Sequence, residues 1–342
     1  MEPLVSVIVI AHDRKKFLRF ALDSLASQNV CRNLFEVIVV KNYEDIEVDN
    51  IARKEGFKCV LTNAESASDK LLLAYGISVG KILSFLEDDD LYLPQKIHRL
   101  IDIFSSNTNL GYYHNQYQII RENHEVMAHF NSGEQFAATN RQIRAFSGFP
   151  NFRTIHKIVR QRGDFNISSI AVKREFLEQA IKKFGETLFG TDYYLFYFAI
   201  SSGHDIVLDS AIMTKYRAHQ GNASLATFGG GEMSEFIEAR VGLFDKVSNQ
   251  KKSLLKRLKD DSTAFGYLKF TMLVNRLDMY FLSRNFTKKD MYRDLLQAMS
   301  KCPKTDMKLI GTLFFFGLCN IVNKRIAQLF YFNIFFIVLS IR

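Results

Sequence analysis

The sequence predicts an α/β fold: a mostly parallel sheet flanked by helices, followed by a helical C-terminal extension. Three observations carry this. Over the first hundred residues, short runs of Val, Ile, Leu and Phe alternate with helix-patterned segments, and such alternation argues for a parallel sheet covered on both faces. One of those runs, Leu83-Ser84-Phe85-Leu86, ends in four consecutive carboxylates, Glu87-Asp88-Asp89-Asp90. From Glu232 onward nearly the whole pattern is helical. A Gly-rich link, Gly229-Gly230-Gly231, marks the change and divides the chain into a domain over 1–228 and a helical region over 229–342.

Taken in order, residues 6–10, 35–40, 57–61 and 82–86 are apolar runs of strand length. Between them, 15–27, 50–55 and 66–79 carry apolar residues at three- and four-residue spacing, as helices with one buried face do. Ser66 with Asp69 forms a capping pair for the last of these. After Pro94 a helix is expected over 95–104. Residues 112–121 and 125–130 read as a hairpin turned by Glu122-Asn123-His124. Farther on, 166–172 reads as strand, 174–183 as helix, and 193–201 as a helix ending at Gly203. Two short strands, 206–208 and 213–217, precede the Gly-rich link.

At 342 residues the chain can bury a substantial core, and 47% apolar with 24% charged residues argues against global disorder. The net charge is +9, partly from Lys251, Lys252, Lys256, Arg257, Lys259, Lys288 and Lys289. Such a surface suits nucleic acid, anionic lipid or acidic sugars, and charge alone does not choose. Cys31, Cys59, Cys302 and Cys319 have neither metal-site spacing nor disulfide density, which points to a reduced, cytoplasmic setting. Residues 4–11 lack a basic leader and run into His12-Asp13-Arg14-Lys15-Lys16, so they read as a buried strand and not a signal peptide. The apolar stretches 309–322 and 326–341 are split by Asn323-Lys324-Arg325, and each is shorter than the ~20 residues of a spanning helix. A peripheral seat on the cytoplasmic membrane surface and a buried helical pair both stay open.

Several classes are disfavoured. No Gly-x-Gly-x-x-Gly or P-loop follows a strand, against a dinucleotide enzyme or NTPase. No Gly-x-Ser-x-Gly elbow is present, against a hydrolase of that type. No nucleic-acid reading motif accompanies the basic residues, and His114, His124, His129 and His156 lack metal-site spacing. The acidic tetrad is different. Four adjacent like charges are tolerated only if water, a cation or basic groups offset their repulsion. Ligands of open α/β sheets bind outside the carboxyl ends of the strands, where the tetrad falls. Hard oxygen ligands beside a phosphate-bearing substrate suit Mg²⁺ or Mn²⁺, with a solvated acidic turn as the alternative.

The succession Ser6-Val7-Ile8-Val9, then Phe35-Glu36-Val37-Ile38-Val39-Val40, then Gly80-Lys81-Ile82-Leu83-Ser84-Phe85-Leu86 with its acids and Pro94 resembles the family 2 glycosyltransferases of the GT-A fold. The resemblance covers the first two thirds of the chain. It implies an inverting, metal-dependent transfer of a sugar from a nucleotide-diphosphate donor, commonly a UDP-sugar, to a glycan or lipid-linked hydroxyl. Mn²⁺ or Mg²⁺ would be the cofactor, with no nucleic acid involved. Carried over by position, Asp89 is the carboxylate on the metal, with Asp90 beside it and Glu87 in support. Asp88 lies against the ribose or the metal's water shell.

The same resemblance makes Asp192, in Gly190-Thr191-Asp192, the general base; a helix cap is the alternative reading of that carboxylate. The block Lys215-Tyr216-Arg217-Ala218-His219-Gln220-Gly221-Asn222-Ala223-Ser224 is similar to the family's closing segment. It implies that Arg217 and His219 reach the diphosphate or the metal. Two places depart from the pattern. Lys41-Asn42 stand where aspartates usually bind the base, and His12-Asp13 where a Tyr-Asn pair usually sits. There His12 would stack on the base while Asp13 and Asn42 hydrogen-bond to it. These departures keep a non-catalytic scaffold on the same fold in view, and Asp89 together with Asp192 argues against it. A nucleotidyltransferase would want a Gly-rich basic loop after the first strand, and 12–16 contains no glycine.

Overall fold

Continuous apolar runs become strands here because both faces of each are covered. In the computed structural model, which describes residues 2–127, 143–185, 192–219, 233–259, 262–282, 293 and 296–297, the first such strand is β1 (Val5–Ala11). It is buried along nearly its whole length, as is β2 (Phe35–Lys41). They pair in parallel, β1 also pairs in parallel with β4 (Ile82–Glu87), and β3 (Lys58–Leu61) closes the edge on β2. β3 is largely exposed, as an edge strand of alternating character should be. Helices α1 (Lys15–Ala26), α2 (Ile46–Glu55) and α3 (Ala67–Ile77) connect these strands. α2 begins four residues earlier than its apolar spacing suggests because the Asp45 side chain accepts from the Val48 N–H. Ser66 caps α3 at the Asp69 N–H, as expected.

Beyond β4 the sheet turns mixed, through β5 (Leu91–Tyr92), β6 (Leu110–Ile120), β7 (Ile143–Phe146), β8 (Ile170–Lys173) and β9 (Asp205–Arg217). The order is β3-β2-β1-β4-β8-β6-β9-β5, with β7 also on β9. β8 is antiparallel to both β4 and β6, and β6 is parallel to β9. The consequence for function is directional. The carboxyl ends of β1, β4, β6 and β9 and the amino end of β8 all reach one rim.

Helices α4 (Lys96–Ser106), α5 (Phe152–Arg160), α6 (Arg174–Phe184), α7 (Asp192–Ser202), α8 (Met233–Leu255) and α9 (Thr263–Leu282) complete the described elements. The chain packs as two units, Met1–Pro150 with Lys157–Arg217, and Asn151–His156 with Ala218–Arg342. The first holds the whole sheet. In the second, α8 packs on α9.

Three readings need correction. The expected strand over 166–172 splits into a 3-10 turn, Ile167–Ser169, followed by β8, because Asn166 adopts φ +68° and its side chain accepts from the Ser168 N–H. The two short strands at 206–208 and 213–217 are one strand, β9, with register shifts opposite Asn115 and Gln116. The Glu122-Asn123-His124 turn exists, but among the described residues its return strand is a single bridge, Ile120 to Val126. The rest of that strand, the Gly229-Gly230-Gly231 link and the stretches 309–322 and 326–341 lie outside the described residues. Neither β7 nor α5 was expected from the sequence. Among the described residues, no helix is long and apolar enough to cross a membrane.

Candidate active site

β4 is buried up to Leu86, so the residues that follow are delivered to the rim within the protein and not on an open loop. Glu87 is partly buried, and Asp88, Asp89 and Asp90 are 1%, 2% and 0% exposed. Carboxylates this deep require compensation. Arg14, from the β1–α1 connection, forks across two of them: Nη2 donates to Asp88 Oδ1 at 2.5 Å and Nη1 to Asp89 Oδ2 at 2.8 Å. Arg217, at the end of β9, donates its backbone N–H to Asp90 Oδ1 at 2.9 Å and its Nε–H to the Asp89 carbonyl at 2.8 Å. Lys96 is fully buried beneath the loop, its Nζ donating to the Ser168 carbonyl and to Thr214 Oγ1.

Ligand atoms of Glu87, Asp89 and Asp90 lie within 4.8 Å of one another. Asp88 stands apart, taking Arg14 and the His12 N–H. Burial and the neighbouring charges hold the Glu87 and Asp90 carboxyls well above the ordinary range, and burial pushes Asp88 up to about 7. Among the described residues, Asp90 Oδ2 is buried without a hydrogen-bond partner at ordinary distance. An orphaned hard oxygen within a convergent carboxylate group fits a divalent Mg²⁺- or Mn²⁺-type ion. Glu87, Asp89 and Asp90 are the residues placed to hold one.

Asp192, the first residue of α7, meets this cluster through a short relay. Its Oδ2 accepts from the Asn166 N–H at 2.8 Å, Asn166 Oδ1 accepts from the Ser168 N–H at 2.9 Å, and Ser168 Oγ accepts from the Glu87 N–H at 3.0 Å. The carboxylate therefore anchors the 166–169 turn, which sets its orientation relative to β4. Burial pushes its carboxyl up to about 7, and Asp192 in turn helps to raise Glu87.

At the ends of β1 and β2, Asp13 and Asn42 clasp each other: the Asp13 N–H donates to Asn42 Oδ1 at 3.1 Å and Asn42 Nδ2 donates to Asp13 Oδ1 at 2.7 Å. Asp13 sits at φ +53°, a left-handed conformation that this clasp stabilises. The buried Lys70 donates to His12 Nδ1 at 2.6 Å and to the Ala11 carbonyl at 2.9 Å. With Nδ1 accepting, the ring proton is on Nε2, which faces Asp13 Oδ2 at 3.3 Å. Lys41 does not point to this end. It is 2% exposed and pairs with Asp49 at 3.1 Å, so its cation belongs to the β2–α2 packing.

Arg217 is fully buried, and Nη1 donates to the Glu122 carbonyl at 2.9 Å while the guanidinium lies 4.8 Å from the Phe17 ring. It fastens the acidic loop and the 121–122 turn from within. His219 lies two residues beyond β9, in the second packing unit. Gly190, Thr191 and the block from Gln220 onward lie outside the described residues. Sequence reasoning missed Arg14, Lys70, Lys96 and Asn166. The only local signals were the basic run after β1 and a lysine in the first turn of each of two helices.

Comparisons with known proteins identify the family and the fold. The family described as glycosyl transferase family 2 matches residues 6–180, just over half of the chain. The chain belongs to that family. An uncharacterized glycosyltransferase of Rickettsia typhi is 24% identical over 327 residues, covering 95% of this chain and 90% of that protein. Another, of Rickettsia bellii, is 28% identical over 228 residues, and the match spans 65% of this chain but about a third of that protein, 31%. Among solved structures, Staphylococcus aureus TarS 1–349 superimposes with a TM-score of 0.53 at 14% identity, covering 97% of this chain and 91% of that one. It has also been solved with UDP-GlcNAc. The mannosyltransferase PcManGT of Pyrobaculum calidifontis, solved with GDP-Man and Mn²⁺, gives 0.54 at 13% identity, covering 100% of this chain and 87% of that one. The family 2 assignment makes this chain a glycosyltransferase, and its curled mixed sheet is the GT-A fold.

Proposed function

We propose that this chain is an inverting, divalent-metal-dependent glycosyltransferase that moves a sugar from a nucleoside-diphosphate donor to a hydroxyl of a glycan or lipid-linked acceptor. The observation that carries the reading is the pairing of two chemistries at one rim: the Glu87, Asp89 and Asp90 group, and Asp192 joined to it by the Asn166–Ser168 relay. The nucleotide-sugar ligands of TarS and PcManGT, and the Mn²⁺ in the latter, support it by analogy of fold.

Glu87, Asp89 and Asp90 would hold the ion, which when bound supplies positive charge against the leaving diphosphate. Asp13, with Asn42 fixing its carboxylate, would accept from a base N–H, and His12 would flank the base. Asp192 removes the proton from the acceptor hydroxyl as that oxygen attacks the sugar's anomeric carbon. The proton ends on the Asp192 carboxylate and the bond to the diphosphate oxygen breaks on the opposite side. One displacement of this kind inverts the centre. A carboxyl at about 7 is well matched to a base working near neutrality.

The testing experiment is thermal stabilisation by UDP, GDP, CDP and ADP, each with and without Mn²⁺. A ligand of the folded state at 100 times its Kd adds ~2.7 kcal/mol. Mn²⁺-dependent stabilisation by one nucleotide is expected. No response to any of them would leave the chain a scaffold without a donor site. The apolar stretches 309–322 and 326–341 support a seat at the cytoplasmic membrane surface. That seat is refuted if full-length protein and a form truncated near Asp306 both stay in the soluble fraction.

A further inference from the structure

Three cations compensate the buried acidic loop, and they differ in one respect. Arg217 and Lys96 are both 0% exposed, Arg217 held by the Asp89 and Glu122 carbonyls and Lys96 by the Ser168 carbonyl and the Thr214 hydroxyl. Arg14 is held only at its tip. Its side chain is 36% exposed while Asp88 and Asp89, which it bridges, are 1% and 3% exposed, so the guanidinium lies between those carboxylates and the outside. Its backbone is fastened separately: the Tyr43 hydroxyl donates to the Arg14 carbonyl at 2.7 Å, and the residue sits in extended conformation at the N-cap of α1. The side chain can therefore leave without disturbing either element.

Asp89 is shared. It belongs both to the Arg14 fork and to the group of ligand atoms within 4.8 Å. A guanidinium and a divalent ion drawing on the same carboxylate oppose each other, since each lowers the negative charge available to the other. A diphosphate offers the guanidinium what Asp88 and Asp89 offer it, two anionic oxygens for a bidentate fork. We propose that Arg14 couples the two halves of donor binding. Closed on Asp88 and Asp89, it holds the affinity of the site for a divalent ion down; a nucleoside diphosphate draws it off those carboxylates and so admits the ion. Metal and nucleotide then bind with positive coupling, which by linkage is the same factor in either direction.

This rests on the donor-site reading, and one titration separates the two. Mn²⁺ binding is followed by the electron paramagnetic resonance of the free ion, without nucleotide and with saturating UDP or GDP, in wild type and Arg14→Gln. In wild type, nucleotide should tighten Mn²⁺ at least about fivefold. In Arg14→Gln, Mn²⁺ alone should bind roughly tenfold tighter than in wild type, and the added effect of nucleotide should shrink to what the direct attraction between ion and diphosphate supplies. Arg14→Lys keeps the charge but cannot span two carboxylates, so it should fall between, and it serves if the glutamine variant does not fold. Wild type that binds Mn²⁺ and nucleotide independently, or a variant that retains the full coupling, overturns the inference and leaves the donor site standing. Wild type that binds neither removes both.

Discussion

The parallel half of the sheet, β3-β2-β1-β4, and the mixed half, β8-β6-β9-β5 with β7, build the same rim by opposite means. In the parallel half the strand interiors are mostly apolar and buried, Val5, Val7, Ile8 and Val9 against Val37, Ile38, Val39 and Val40, with Ser6, Glu36 and Ser84 as buried, hydrogen-bonded exceptions, and the carboxylates of the candidate site follow the end of β4. In the mixed half, His114, Asn115, Gln116, Asp209 and Thr214 are buried in mid-strand. They partner one another and their neighbours: Asn115 Nδ2 donates to Thr214 Oγ1 at 3.0 Å, and the Tyr113 hydroxyl donates to Asp209 Oδ2 at 2.8 Å. His114 Nε2 donates to the Phe165 carbonyl at 2.7 Å, and burial lowers its pKa to about 4, so it stays neutral. One half delivers carboxylates on a hydrophobic rail. The other holds a bulged strand in register with a polar network, and so tolerates apolar change less well.

The comparison can be broken at its most consequential point by Asp192→Asn. Turnover should fall ~10²–10⁴-fold with nucleotide binding retained, because the proposed function gives proton transfer to the mixed half and donor binding to the parallel half. Turnover near that of wild type would take the base role from Asp192. Next in size is Arg217→Met, which keeps the backbone N–H bond to Asp90 but removes the buried guanidinium from the Asp89 and Glu122 carbonyls and from beside the acids, and should cost about 3–5 kcal/mol in urea unfolding. A loss below about 1 kcal/mol would mean that solvent, not Arg217, balances the acids.

A matched pair sharpens the contrast between the halves. Thr214→Val removes the acceptor for Lys96 and Asn115 and should cost about 1–3 kcal/mol. Ile8→Val in the parallel half should cost only about 0.5–1.5 kcal/mol. Equal losses would refute the distinction. The smallest effect is on pH dependence. Asp88 and Asp192 titrate at about 7 in the native protein and near 4 when unfolded. The native state therefore binds more protons between those values, and stability should fall as pH rises through that window. Melting temperature followed from pH 5 to 8 should decline, and less steeply with Mn²⁺; a rise with pH would contradict the burial of these carboxyls.

Legibility in the sequence follows the same division. β1, β2 and β4 stand out because burial on both faces leaves a mostly apolar run, and Ser66 and Gly203 mark helix ends by local chemistry, whereas the Asp45 cap of α2 shows only in the structure. The mixed half hides more of its strands. β6 is legible over 112–121 despite Asn115 and Gln116, but β9 reads as two short strands because the register shifts against those residues break its pattern, and the Asn166 turn depends on a side-chain bond to Ser168 that no periodicity reveals. Lys41 illustrates the converse: a departure from the family pattern at the base end proves to be a packing lysine paired with Asp49.

By itself the sequence determined that β4 ends in carboxylates and that the chain is a family 2 glycosyltransferase, because both are written in contiguous residues. Only the tertiary structure decided how those charges are balanced. The Arg14 guanidinium reaches Asp88 and Asp89 across 74 and 75 residues, and the Arg217 backbone N–H reaches Asp90 across 127. Such pairings depend on which strands become neighbours and in which direction they run. The antiparallel course of β8 puts the 166–169 turn, and through it Asp192, beside the end of β4. Local propensity encodes burial, and charge compensation at the site arises only when the sheet is assembled.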